Sequence, residues 1–258
     1  MRWILILVST LILTPAQAKS SHFVYNITTD QPVSGQNITD QRSIASLTKL
    51  MTAIVVLKNK DKLPKEINYL GHHLSGKKQS TDDLLKAMLV RSDNQAAEAL
   101  ADAWPGGRKE FVSAMNQEAA YLKLSSTKFA DSSGLLADNK STAVEFSKLL
   151  KEADRYETIK KFSTIKEIEL EKKIGKRVRV IHIPNTNRKL LFEFDNILVS
   201  KTGWTVPAGR CLAMIVEKNQ HKYAIVILGE PSVQSREQIA RELIYNKLIY
   251  EHTHETGH

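Results

Sequence analysis

Apolar and polar positions along this chain follow two periods, and the place where one gives way to the other divides the sequence. Residues 22–38, HFVYNITTDQPVSGQNI, alternate with period two and predict two short strands around a turn at Asp30–Gly35. A helical period then takes over. In ASLTKLMTAIVVLKNK the apolar positions Leu47, Leu50, Met51, Ile54, Val55 and Leu57 recur at close to 3.6-residue spacing. STDDLLKAMLV opens with capping hydroxyls and acidic residues in its first turn. SDNQAAEALADAW runs as an alanine-rich helix to the breaker Pro105-Gly106-Gly107, and KEFVSAMNQEAAYLKL and STAVEFSKLLKEA extend the helical set.

From about residue 163 the alternation returns. KEIELEKKIGKRVRVIHI predicts a hairpin with Gly175 at its tip. ILVSKTGW, GRCLAMIVEK and KYAIVILG predict three further strands, and a helix over 233–250 closes the pattern. Strands, many helices, strands and a last helix describe an α+β domain, in which the first strands and the last helix join the later sheet. We expect one domain over 19–250 and a polar tail over 251–258, with no internal repeat or Gly/Ser-rich linker.

The segment before this domain reads differently. Arg2, an apolar run from Trp3 to Leu13, the breaker Pro15 and Ala16-Gln17-Ala18 have the layout of a signal peptide cleaved after Ala18. The run is short of the ~20 residues a membrane span needs. With Cys211 as the only cysteine, no intramolecular disulfide is available, which favours a bacterial envelope compartment, the periplasm, over a eukaryotic secretory route. The net charge of +9 would raise nucleic acid as a partner for a cytosolic protein. Export, and the absence of runs interleaving aromatic and basic residues, argue against it. An anionic envelope polymer fits such a surface, and so does a lysine-rich face that only keeps the chain soluble.

Candidate chemistry begins at SIASLTKLMTA. Ser46 and Lys49, three residues apart on a helix, share a face, and a serine hydroxyl becomes a nucleophile when a base lies within hydrogen-bond reach. Ser-x-x-Lys alone reads equally as a capping serine and a solvated lysine. Ser92-Asp93-Asn94 lies at the start of a later helix, and Lys201-Thr202-Gly203 follows a strand and precedes Trp204. Ser-x-x-Lys, Ser-x-Asn and Lys-Thr-Gly in that order form the signature of penicillin-binding proteins and serine β-lactamases.

With IASLTKLMTAIVVL, SDNQAAEALADAWPGG, FVSAMNQEAAYLKLSSTKFADSSGL, NTNR and SKTGWTVPAGRCLAMIV, the sequence over about 22–230 resembles the low-molecular-mass penicillin-binding proteins. These are serine D-alanyl-D-alanine carboxypeptidases and endopeptidases, and the resemblance is strongest to the endopeptidase branch. It implies a β-lactamase-like fold, an antiparallel sheet flanked by helices with a mostly helical subdomain. It also implies roles. Ser46 attacks a D-alanyl peptide bond to form an acyl-enzyme, Lys49 takes its proton, and Ser92 relays a proton toward the leaving amine beside the positive Lys201. Asn94, Thr202 and Lys201 contact the substrate, Gly203 lets it lie on the strand, and the backbone amides of Ser46 and Trp204 make the oxyanion hole. Peptidoglycan stem peptides are then the substrate and β-lactams covalent inhibitors, with no metal or cofactor needed. The oligomeric state stays open.

In the carboxypeptidase branch an arginine stands in the middle of the Asn-x-Asn tripeptide and grips a free terminal carboxylate. Here the tripeptide is Asn185-Thr186-Asn187, with Arg188 just outside. That favours cutting a D-alanyl-diaminopimelate cross-link over trimming terminal D-alanine, although Arg188 or Arg210 could supply the missing grip. The family's anchored members carry a second β-rich domain and a C-terminal amphipathic helix, and the polar tail EHTHETGH leaves room for neither, so no stable membrane anchor is expected. Glu193-Phe194-Asp195-Asn196 imitates a β-lactamase deacylation loop but falls where a strand hairpin is expected. A β-lactamase and a non-catalytic binding module remain the rival readings. His72, His73, His252, His254 and His258 read as solvent-exposed, Cys211 as a small core residue, and Lys172, Lys173, Lys176, Arg177 and Arg179 as a basic hairpin.

Overall fold

A computed structural model describes residues 20–174 and 177–247. The predicted signal segment, the Gly175 hairpin tip and the tail 251–258 lie outside them. In chain order the elements are the hairpin β1 (Ser21–Asn26) and β2 (Gln31–Gln36), β3 (Arg42–Ser43), and a 3-10 turn Ala45–Leu47 leading into α1 (Thr48–Lys58). There follow β4 (Ile67–Asn68), β5 (Lys78–Gln79), α2 (Thr81–Val90), α3 (Asn94–Asp102) and α4 (Gly107–Tyr121). β6 (Lys140–Ser141), α5 (Ala143–Ala153) and α6 (Glu157–Ser163) complete the helical part. The ribbon β7 (Glu167–Ile174) and β8 (Arg177–Pro184), the helix α7 (Arg188–Glu193), β9 (Ile197–Thr205), β10 (Gly209–Lys218), β11 (His221–Glu230) and α8 (Val233–Glu242) form the rest.

The principal sheet has the order β2-β1-β11-β10-β9, with every pairing antiparallel. The α+β expectation holds, including the joining of the N-terminal strands to the later ones. Both faces of the sheet are covered, which is why β10 and β11 read as nearly unbroken apolar runs. Cys211, Ala213 and Ile215 face the helices around α1, while Leu212, Met214 and Val216 pack with Leu190, Ala240 and Ile244 on the other side. Cys211 is fully buried, and burial pushes its thiol up to about 11, as suits an inert core residue.

Four local readings differ. The first turn falls over residues 27–30, since the Asn26 side chain accepts from the amides of Thr28 and Thr29 and bends the chain early, leaving Gly35 inside β2. α1 is buried on every side from Thr48 to Val56, so it is the central helix rather than an amphipathic one. α8 ends at Glu242 and gives way to a π-helical turn Leu243–Lys247, while 248–250 of the expected helix lie outside the described residues. Glu193 ends a helix, not a strand, and its carboxylate pairs with Arg241 at 2.8 Å.

Candidate active site

Ser46 lies in the 3-10 turn before α1, and Lys49 stands one turn further on, fully buried. Lys49 Nζ is 3.0 Å from Ser46 Oγ, donates to Asn94 Oδ1 at 2.7 Å, and donates also to the Ser133 carbonyl. None of these partners is charged. Burial therefore dominates and pushes the ammonium down to about 7, against the pull of the more distant Asp131, Asp93 and Glu98. A neutral amine has two N–H groups and one lone pair. With the two N–H groups on Asn94 and Ser133, the lone pair is left for the Ser46 hydroxyl, as a general base requires.

The second lysine is arranged in the same way. Lys201, buried at the middle of β9, donates from Nζ to Ser92 Oγ at 2.8 Å and to the Thr202 carbonyl at 2.8 Å. Burial, then the neighbouring Lys49 and Arg236, push it well below the ordinary lysine range. Ser46, Lys49, Ser92 and Lys201 thus form two hydroxyl–amine pairs, brought together from α1, the α2–α3 turn and β9.

Local backbone geometry sets these contacts. Ala45 and Ser92 both occupy the left-handed region, at φ 47 and 64. Gly203 allows β9 to lie against the serine turn, because a Cβ there would come within 2.9 Å of Ile44 O and 3.1 Å of Ser46 N. Opposite, Gly134 (φ +83) abuts the same turn, and a Cβ there would be 2.0 Å from Ala45 O. Asp131 shapes this loop by accepting from the amides of Ser133, Gly134 and Leu136. Asp93 caps α3 through the Ala96 amide and also accepts from Tyr69 and His73. His73 is accordingly not a free surface histidine: its Nδ1 lies 2.9 Å from Asp93.

Beside Ser46 opens a cleft of ≈ 290 Å³ lined by Ser92, Thr186, Thr202, Gly203, Arg210 and Arg236 among others. Thr202 donates from its hydroxyl to Thr186 at 2.7 Å. The two asparagines beside Thr186 are buried anchors: Asn185 donates to the Ser163 and Ile165 carbonyls, and Asn187 to Ser200 Oγ. Arg188 points elsewhere, toward Glu167 at 3.4 Å, whereas Arg210 lies in the cleft with its guanidinium 4.3 Å from the Trp204 ring centroid. The Trp204 side chain itself is half exposed.

The sequence reading overlooked Arg236. It is buried, its Nε has no hydrogen-bond partner among the described residues, and its nearest carboxylate, Glu237, is 3.9 Å away. Burial and Arg210 press its guanidinium downward. A cation in the first turn of a helix works against the helix dipole, and that misplaced charge was the available signal. Arg236, Arg210, Thr202 and Thr186 thus gather two guanidinium groups and two hydroxyls in the cleft beside Ser46.

The family pattern described as D-alanyl-D-alanine carboxypeptidase matches residues 65–232. The chain is 33% identical over 226 residues to a D-alanyl-D-alanine endopeptidase of Escherichia coli, covering 83% of this chain and 72% of that protein. A D-alanyl-D-alanine endopeptidase of Haemophilus influenzae is also 33% identical, over 83% of this chain and 75% of its own. Among solved structures, Streptomyces K15 DD-transpeptidase superposes with a TM-score of 0.77 at 25% identity, covering 86% of this chain and 94% of that one. Penicillin-binding protein D2 from Listeria monocytogenes, in its cefotaxime-bound form, superposes at 0.74 and 25% identity, over 87% and 94%. Fold and site thus define an active-serine enzyme of the penicillin-binding class. Within that class, the chain belongs to the D-alanyl-D-alanine carboxypeptidase family of serine peptidases.

Proposed function

We propose that this enzyme is a DD-endopeptidase that hydrolyses D-alanyl-diaminopimelate cross-links of peptidoglycan through an acyl-serine intermediate. The observation that carries the reading is its 33–35% identity to three bacterial D-alanyl-D-alanine endopeptidases, against 24–30% for the carboxypeptidases compared. Lys49, uncharged above about pH 7, takes the Ser46 proton as Oγ attacks the D-alanyl carbonyl. The Ser46 and Trp204 amides receive the oxyanion. Ser92, beside Lys201, passes a proton to the departing amine, and the acyl-enzyme is then released by water. Asn94 and Gly203 hold the acyl chain. The leaving group in a cross-link is a D-centre bearing a carboxylate, which the pocket of Thr202, Thr186, Arg210 and Arg236 suits in charge and in donor number.

The same pocket also accommodates a terminal D-alanine, so trimming of pentapeptides is the second reading. Purified cross-linked dimers and pentapeptide monomers are digested in parallel. Cleaved dimers support the proposal, and loss of terminal D-alanine with intact dimers overturns it. We place the enzyme in the periplasm, on the signal-like residues 1–18 and its bacterial relatives, with β-lactams acylating Ser46. No helix among the described residues is long and apolar enough to cross a membrane.

A further inference from the structure

The two neighbours of Asp93 carry the contacts to the two buried lysines: Ser92 accepts from Lys201 and Asn94 from Lys49. They are not equally secured. Asn94 is the first residue of α3 and shares its helical turn, whereas Ser92 precedes the helix at φ 64, a left-handed backbone that serine adopts at a cost. Such a conformation persists where the surroundings over-determine it. Here the surroundings meet at the buried carboxylate of Asp93. Its Oδ1 accepts from the Ala96 amide at 3.2 Å, and its Oδ2 takes two further donors, the Tyr69 hydroxyl and, at 2.9 Å, Nδ1 of His73.

Those two donors close a ring with the acid. The Tyr69 hydroxyl donates to Asp93 and accepts from the His73 backbone amide at 3.1 Å. The chain passes over it so closely that a Cβ at Gly71 would fall 2.2 Å from Tyr69 Oη. Burial, then Asp93, push the phenol upward, so it stays a donor. A carboxylate only accepts, so the imidazole proton lies on Nδ1. Tyr69 is locked by burial, while His73 has 32% of its side chain exposed and is not among the residues lining the Ser46 cleft.

We propose that His73 is a positioning residue for acyl transfer: its hydrogen bond to Asp93 holds Ser92 in the left-handed turn where Ser92 meets Lys201. The inference rests on the active-serine peptidase reading. Ser46 acylation by a fluorescent penicillin is followed against penicillin concentration, which separates the limiting rate from half-saturation. H73A is expected to lower the limiting rate about tenfold, the value of one hydrogen bond to a charged acceptor, with half-saturation little changed. H73N, whose amide nitrogen stands where Nδ1 stands, is expected to keep the rate. H73Q, whose amide nitrogen stands where Nε2 stands, is expected to behave as H73A. In an S92A background H73A should lower the rate no further, because His73 acts through that serine. Equal rates in H73N and H73Q overturn the proposal, and so does a full H73A effect retained beside S92A or a lowered melting temperature with an unchanged limiting rate. If H73A does not fold, the comparison of H73N with H73Q decides. Absence of Ser46-dependent acylation in the unaltered enzyme would overturn the peptidase reading itself, and the role of His73 with it.

Discussion

Lys49 Nζ stands 3.0 Å from Ser46 Oγ with its other contacts restricted to the uncharged oxygens of Asn94 and Ser133. Because burial holds this lysine down to about 7, its base form gains population as pH rises through that value. Acylation by a fluorescent penicillin is therefore expected to climb from pH 5.5 to 8 with a midpoint near 7, and K49M should remove the step together with the activity. The same shift bears on stability. The unfolded lysine titrates near ~10.4, so between about 7 and that value the unfolded chain binds the extra proton and stability increases with pH. Urea unfolding at pH 7.5 and 9.5 should show that rise, reduced in K49M. An acylation profile that is flat across pH 7 rules out Lys49 as the titrating base.

On the proposed mechanism Ser92 links the second lysine to the reaction, since Lys201 Nζ donates to its hydroxyl at 2.8 Å. Loss of the relay should slow proton delivery more than binding. S92A is expected to cut kcat on wall peptide about 10²-fold and to change KM little. A KM effect without a kcat effect contradicts this role.

Much of this site was legible because its motifs are short and local: Ser46 and Ser92 lie just before helices, and Lys201-Thr202-Gly203 lies within a strand. The central strands were equally legible, since burial on both sides wrote β10 and β11 as apolar runs. What escaped depends on long-range packing. Arg236 lies in the cleft because α8 packs over the sheet, and the one local sign within SREQIARE, a cation in the first turn, says nothing of where the helix docks. His73 looked like a surface histidine until the fold placed Asp93 beside it. The displaced first turn came from one side chain, Asn26, satisfying two amides ahead of the glycine.

Gly134 and Gly107 separate the requirement for close approach from the cost of a left-handed backbone. Both have positive φ, but a Cβ at Gly107 meets nothing within 4 Å, while one at Gly134 strikes the Ala45 carbonyl at 2.0 Å. G107A should cost about 1 kcal/mol and leave acylation intact. G134A should push the serine turn out of place and abolish acylation, whatever its melting temperature. Equal behaviour of the two variants in the acylation assay refutes the packing argument.

Arg236 sets function against stability. A buried guanidinium whose Nε donates no hydrogen bond among the described residues, and whose nearest carboxylate is 3.9 Å away, is weakly paired in the free enzyme; on the proposed reading it gains a closer partner when a substrate carboxylate arrives. R236L should therefore lower kcat/KM on cross-linked peptide by about 10²-fold, the value of a charge-assisted contact with its desolvation already met. In the same variant the unliganded protein should be at least as stable, gaining on the order of 1 kcal/mol as a weakly paired buried charge gives way to an apolar side chain. Calorimetry in the absence of substrate, set beside the kinetics, checks both halves. A variant that loses stability along with activity would mean that Arg236 holds α8 on the sheet instead of receiving the carboxylate.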